Sequence, residues 1–165
     1  MTKIRAAQLP ADSLLARSRG PECYRDAFCV EVPRAVSLPE FIAAFYSSAA
    51  FTPERWALHL IGRGASRADI AALADDRTRS FAAWEVEARE EHALLMRDYQ
   101  DFTCSWLAVE PSPPSSSGAV GQMSSTTLWF GSGVRRPDRW QVRAMLGFHK
   151  TYAKLLLAGA ARALR

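Results

Sequence analysis

SFAAWEVEAREEHALLMRDYQDFTCSWLAV, residues 80–109, alternates apolar and polar side chains with a period of two. Ala82, Trp84, Val86 and Ala88 oppose Glu85 and Glu87; His92, Leu94 and Met96 oppose Arg97; Phe102, Cys104, Trp106 and Ala108 oppose Thr103 and Ser105. Successive side chains of a strand point to opposite faces, so each run predicts a half-buried strand. The polar breaks at Arg89 to Glu91 and at Asp98 to Asp101 are short enough for hairpins, which makes these strands antiparallel neighbours. Strand pattern resumes at Ser124 to Val134. Between lies Pro111 to Gly121, the one low-complexity segment, expected as a mobile Pro/Ser/Gly loop within the sheet rather than a linker between domains.

Upstream, Tyr24 to Val32 alternates in the same way, with Tyr24, Phe28, Val30 and Val32 on one side and Arg25, Ala27, Cys29 and Glu31 on the other. Helix signals follow. Ser37 with Glu40 makes a capping box, Pro39 is tolerated in a first turn, and Leu38, Phe41, Ile42 and Phe45 repeat at helical spacing, predicting a helix over 38–48. Thr52, Pro53 and Glu54 start a second helix that Gly62 and Gly64 end, and Ser66 with Asp69 opens a third, short one. The chain closes on a long amphipathic stretch. From the N-cap Asp138, Met145, Phe148, Tyr152, Leu155, Leu156 and Ala163 follow a three-and-four spacing, predicting one long helix that spans about 37 Å.

The resulting expectation is an α+β fold: a curved antiparallel sheet packed on a long C-terminal helix, with two or three short helices after the first strand. A length of 165 residues suits a single domain, 1–165, with 1–20 loosely ordered. Composition agrees, being 48% hydrophobic and 23% charged. Richness in Ala and Arg suggests a bacterial gene of high GC content. No apolar run reaches the roughly 18 residues of a membrane span and the N-terminus has no signal-peptide core, so the expected location is the cytoplasm. Cys23, Cys29 and Cys104 lack the spacing of a zinc site or disulfide framework and are read as reduced, buried thiols.

The order of elements resembles the helix-grip fold of the START-like superfamily, in which a curved sheet grips a C-terminal helix around a cavity. A more local resemblance rests on "YRDAFCVEVP" (24–33), "EEHALLMRDYQDFTCSWLAV" (90–109), "TTLWF" (126–130) and "RAMLGFHKTYAKLLL" (143–157). These segments look like a bacterial family of uncharacterised domains, found also beside dehydratase-like and epimerase-like domains. That resemblance implies places for Asp26, Asp98, Phe148 and His149. This chain departs from the family's arginine and proline before Phe-His, carrying Leu146 and Gly147 instead. With no activity established for the family, the resemblance implies a fold and leaves the chemistry open.

Candidate site residues follow from placement. His149, at the edge of the apolar face of the last helix, would point towards the sheet and act as a general base or hold a polar group of a ligand; a core-edge histidine satisfied by a carbonyl is the plainer alternative. Trp84, Trp106 and Trp129 come from different strands and, with Phe102 and Tyr152, would line an apolar pocket if parity brings them to one face; ordinary core packing competes. Glu85, Glu87, Glu90, Glu91, Asp98 and Asp101 read as a solvated acidic face, and neither they nor His92 have metal-site spacing. No nucleotide, flavin or hydrolase fingerprint is present, so no cofactor and no metal are expected.

The charges of the last helix, Arg139, Arg143, Lys150, Lys154, Arg162 and Arg165, are all positive in a chain of net charge +4, which leaves the remainder slightly acidic. A single basic face is a weak nucleic-acid signal, and a solvated face serves as well. The leading expectation is a protein that binds a small apolar or amphipathic ligand between sheet and C-terminal helix. A cyclase-like or dehydratase-like enzyme using the same cavity, with His149 and Tyr152 or a pocket carboxylate as acid and base, is the alternative. A homodimeric interaction module is the third.

Overall fold

The computed structural model describes residues 3–18, 24–60, 62–112, 124–135 and 140–165, and of residues 57 and 140–149 the backbone only. The expected Pro/Ser/Gly loop and Cys23 fall largely or wholly outside that set. Strands β1 (Arg5–Ala6) and β2 (Tyr24–Val32) flank helix α1 (Leu14–Arg17). Helices α2 (Leu38–Ser47), α3 (Thr52–Leu60) and α4 (Arg67–Ala74) come next, with a 3-10 turn at Ala49–Phe51. Strands β3 (Ser80–Phe81), β4 (Trp84–Glu90), β5 (Ala93–Asp98), β6 (Thr103–Pro111) and β7 (Thr126–Val134) lead to helix α5 (Trp140–Ala163). The chain is therefore α+β, with an antiparallel sheet and a C-terminal helix. No described helix is long and apolar enough to cross a membrane.

Local chemistry explains most element ends. Ser37 and Glu40 cap α2 reciprocally, and Ser66 and Asp69 do the same for α4, each satisfying amides that a first turn leaves without partners. At the other end of α4, Arg89 reaches from β4 to the carbonyls of Leu73 (2.7 Å) and Ala74 (2.6 Å). Asp98 shapes the turn between β5 and β6, its Oδ2 accepting from the amide of Phe102 (3.1 Å) and the hydroxyl of Thr103 (2.7 Å). Ala82 turns β3 into β4 at a φ of 53°, a left-handed conformation that costs an alanine about 1 kcal/mol.

All seven strands form one sheet in the order β1-β2-β7-β6-β5-β4-β3. From β3 to β7 the chain meanders between neighbours, and β7 then closes against β2, pairing Val32 with Thr126 and Tyr24 with Val134. Both faces are covered. The larger core lies beneath α2 and α5 and includes Phe28, Leu94, Leu107, Leu128, Phe41 and Leu157. A smaller one lies on the opposite face, where Leu14 and Leu15 of α1 pack on Leu95, Cys104 and Trp106. Residues 3–18, expected to be loosely ordered, thus supply an edge strand and the cover of a second apolar cluster. Gly131 permits that cover: a Cβ there would stand 2.9 Å from Leu15 Cδ2 and 3.0 Å from Trp106 Cε3.

A register shift between Val86 and Ala88 breaks the regular alternation of β4. Arg135, almost wholly buried at the end of β7, meets Glu87 at 2.5 Å there and also pairs with Asp101. This arginine joins three separate stretches of the sheet. Its charged partners make burial tolerable, since an isolated cation in such a place would be very costly.

Candidate functional site

Strand register lays down the floor of a cavity. On β6, Thr103 and Ser105 share parity with Leu107 and Val109 and face α2 and α5; on β7 the same face carries Leu128, Phe130 and Ser132. Cross-strand pairing puts Ser105 opposite Ser132, and Ser132 opposite Asp26 of β2. One step along, Leu107, Phe130 and Phe28 form an apolar row in the same way. A polar row therefore runs beside an apolar one beneath the helices. Asp26 organises the polar row, accepting from the Ser132 hydroxyl at 2.6 Å and from the Tyr24 hydroxyl at 2.9 Å. Burial and that carboxylate push the Tyr24 phenol well above its ordinary range.

The walls are mainly aromatic. Phe45 and Tyr46 come from α2, Phe51 from the turn after it, Trp84 from β4 and Tyr152 from α5. Phe45 packs on Phe130 with ring centroids 4.9 Å apart, Tyr46 meets Phe51 edge-on at 5.1 Å, and Phe51 lies 6.3 Å from Trp84. Ala153 and Leu156 of α5 close the top. The space, partly open to the surface, is about 450 Å³, within the range of small-molecule sites.

Polar chemistry enters from the first turn of α3. Glu54 Oε2 accepts the Tyr152 hydroxyl at 2.7 Å, and both residues line the cavity. Burial pushes the Glu54 carboxyl up, an effect opposed by the Tyr152 hydrogen bond. Burial and the neighbouring Glu54 raise the phenol of Tyr152, as burial and the Glu54 charge do that of Tyr46, so both phenols stay protonated. The arrangement can accept a hydrogen bond or a proton at Glu54, accept a hydrogen bond at the Tyr152 oxygen, and shelter an apolar body among the rings.

The expected site residues separate into several places. Trp84 and Tyr152 line the cavity. Trp106 and Trp129 lie on the opposite face of the sheet, 6.0 Å apart by ring centroid, with Trp129 Nε1 donating to Glu110 at 2.9 Å. Phe102 sits in the turn after β5 and does not line the cavity. His149 belongs to α5, and its side chain is outside the described set. Asp26 and Asp98 serve the floor and a turn, while His92 is exposed, 3.9 Å from Glu91. Cys29 and Cys104 are both buried. Among the described residues no group of His, Cys, Asp and Glu could hold a metal ion.

Glu54, Tyr46, Ser105 and Ser132 are the residues that sequence reasoning passed over. Ser105 looked like the solvent side of an alternating strand, because Cys104 and Trp106 beside it are apolar. The sheet buries both faces, so alternation revealed which residues share a side without revealing which side meets α5. Glu54 looked like an ordinary first-turn acid. No family model matches the chain, and neither a curated protein nor a solved structure does so.

Proposed function

We propose that the protein holds a small amphipathic molecule in the cavity between its sheet and C-terminal helix. The observation that carries this reading is a space of about 450 Å³ walled by aromatic rings, with a few polar groups supplied by the Glu54–Tyr152 pair, Thr103, Ser105, Ser132 and the hydroxyl of Tyr46. An apolar wall with a few convergent polar atoms is the usual form of a ligand site. The helix-grip reading draws support from the return of β7 beside β2 and from the packing of α5 on both strands. Membership of the bacterial family suggested by the 24–33, 90–109 and 143–157 segments belongs with the same proposal.

The test is to fill the space. Ala153, buried on α5, points into the cavity lining, and Ala153→Phe places a ring where the ligand body would lie. Wild-type protein is expected to enhance the fluorescence of the neutral dye Nile red, and the variant to lose most of that gain while keeping its circular dichroism spectrum. Equal fluorescence from the two proteins would overturn the reading.

A second reading is favoured by one contact. The 2.7 Å hydrogen bond between Tyr152 and Glu54 joins a proton donor to a carboxylate whose burial favours taking a proton, the elements of acid–base catalysis. In this enzymatic reading Tyr152→Phe abolishes turnover of a cavity substrate while leaving its binding intact.

A further inference from the structure

Among the described residues the lining of the cavity carries charge of one sign only. Glu54 is the one carboxylate among the described lining residues, and none of those residues is Lys, Arg or His. Around the same space stand the rings of Phe45, Tyr46, Phe51, Trp84 and Tyr152. An aromatic face is the negative side of the ring's quadrupole, so such walls attract a cation and repel an anion. Behind the floor, Asp26 is one hydrogen bond from the lining through Ser132.

Nearby lysines are engaged elsewhere. Lys150 Nζ lies 5.7 Å from the ring centroid of Tyr24 and Lys154 Nζ lies 5.5 Å from that of Phe28, and neither ring is part of the described lining.

We infer that the ligand of this cavity is an organic cation, an amphiphile whose protonated amine pairs with Glu54 while its apolar body lies against the aromatic walls. The inference rests on the reading that the cavity is a ligand site and adds the chemical class of the occupant. An ammonium group supplies a permanent positive partner, which the half-buried carboxylate does not have among the described residues, and Tyr152 can keep its hydrogen bond to the other side of the carboxylate. A carboxylate ligand would face Glu54 and the ring faces together and is disfavoured twice. An alcohol of the same shape gains the apolar contacts but none of the charge attraction.

Calorimetric titration of the intact chain with tryptamine, tryptophol and indoleacetate compares the three head groups on one ring system. Wild-type protein is expected to bind tryptamine about tenfold or more tightly than tryptophol, and indoleacetate most weakly. In Glu54→Gln the preference for tryptamine over tryptophol should disappear, read as the ratio of the two affinities within the same protein. Tryptophol or indoleacetate binding wild-type protein as tightly as tryptamine overturns the amine inference and leaves the cavity reading standing; that ranking requires no variant to fold. A tryptamine preference that survives in Glu54→Gln also overturns it. Failure of all three to bind at millimolar concentration overturns the cavity reading, and the inference falls with it.

Discussion

At the scale of single residues, Glu54 is where structure and solution behaviour meet. Burial raises its carboxyl above the ordinary value of 4.5, so the folded state binds the proton more tightly than the unfolded chain does. The stability this confers is complete below 4.5 and declines as the pH climbs through the raised folded value. Replacing Glu54 with Gln removes the titration, so thermal melts should show the variant gaining on wild type from acid to neutral pH. A gap between the two proteins that does not change with pH would contradict this account. The same residue shows what a sequence withholds: a first-turn glutamate after Pro53 reads as a helix start, and only the arrival of Tyr152 from the far end of the chain converts it into part of a cavity. The tryptophans teach the converse. Trp106 was legible as buried, but Gly131, with Leu15 packed above it, decides that it is buried beneath α1, with Trp129 half-buried beside it.

At the scale of elements, capping read correctly because it is local, whereas the three-and-four spacing put Leu155 on the buried face of the last helix and the structure exposes it. The boxes at Ser37/Glu40 and Ser66/Asp69 involve residues three apart, and each helix begins where its box says. The end of α4 was less legible, since Arg89, fifteen or sixteen residues downstream, satisfies its last carbonyls. Arg89→Met keeps much of the side-chain length and removes both hydrogen bonds. Leaving two partly buried carbonyls without these charge-assisted partners is expected to cost about 1–3 kcal/mol, measured by urea unfolding. A loss near zero would mean that water replaces the guanidinium at that end of the helix. The bulge after Val86 was equally hidden, because strict alternation placed Glu85 and Glu87 together on a solvated face, whereas Glu87 meets the buried Arg135.

At the scale of the whole molecule, one strand carries two cores. Phe130 and Ser132 of β7 face the cavity, and Gly131 between them meets Leu15 and Trp106 on the other side. A methyl group at Gly131 would also lie 3.1 Å from the backbone oxygen of Asp26, the residue that holds the polar row. Gly131→Ala is therefore expected to destabilise by about 1–3 kcal/mol through overpacking, and Leu15→Ala to recover part of that loss when combined with it. Simple additivity of the two changes in denaturant melts would show that the clash is relieved elsewhere. The α+β layout was legible from periodicity alone; the second layer was not, because the short α1 carries too few residues to show a period.

The closure of β7 against β2 also has a meaning in time. Until residue 134 exists, β2 has only the two residues of β1 to pair with, and its other edge stays open. The strand that fills that edge brings Phe130 and Ser132 with it, so sheet closure and the appearance of a cavity floor are one event. Pairing across so much intervening chain is slow to nucleate. The floor of the cavity is therefore completed only when β7 arrives, and its roof only when α5 follows.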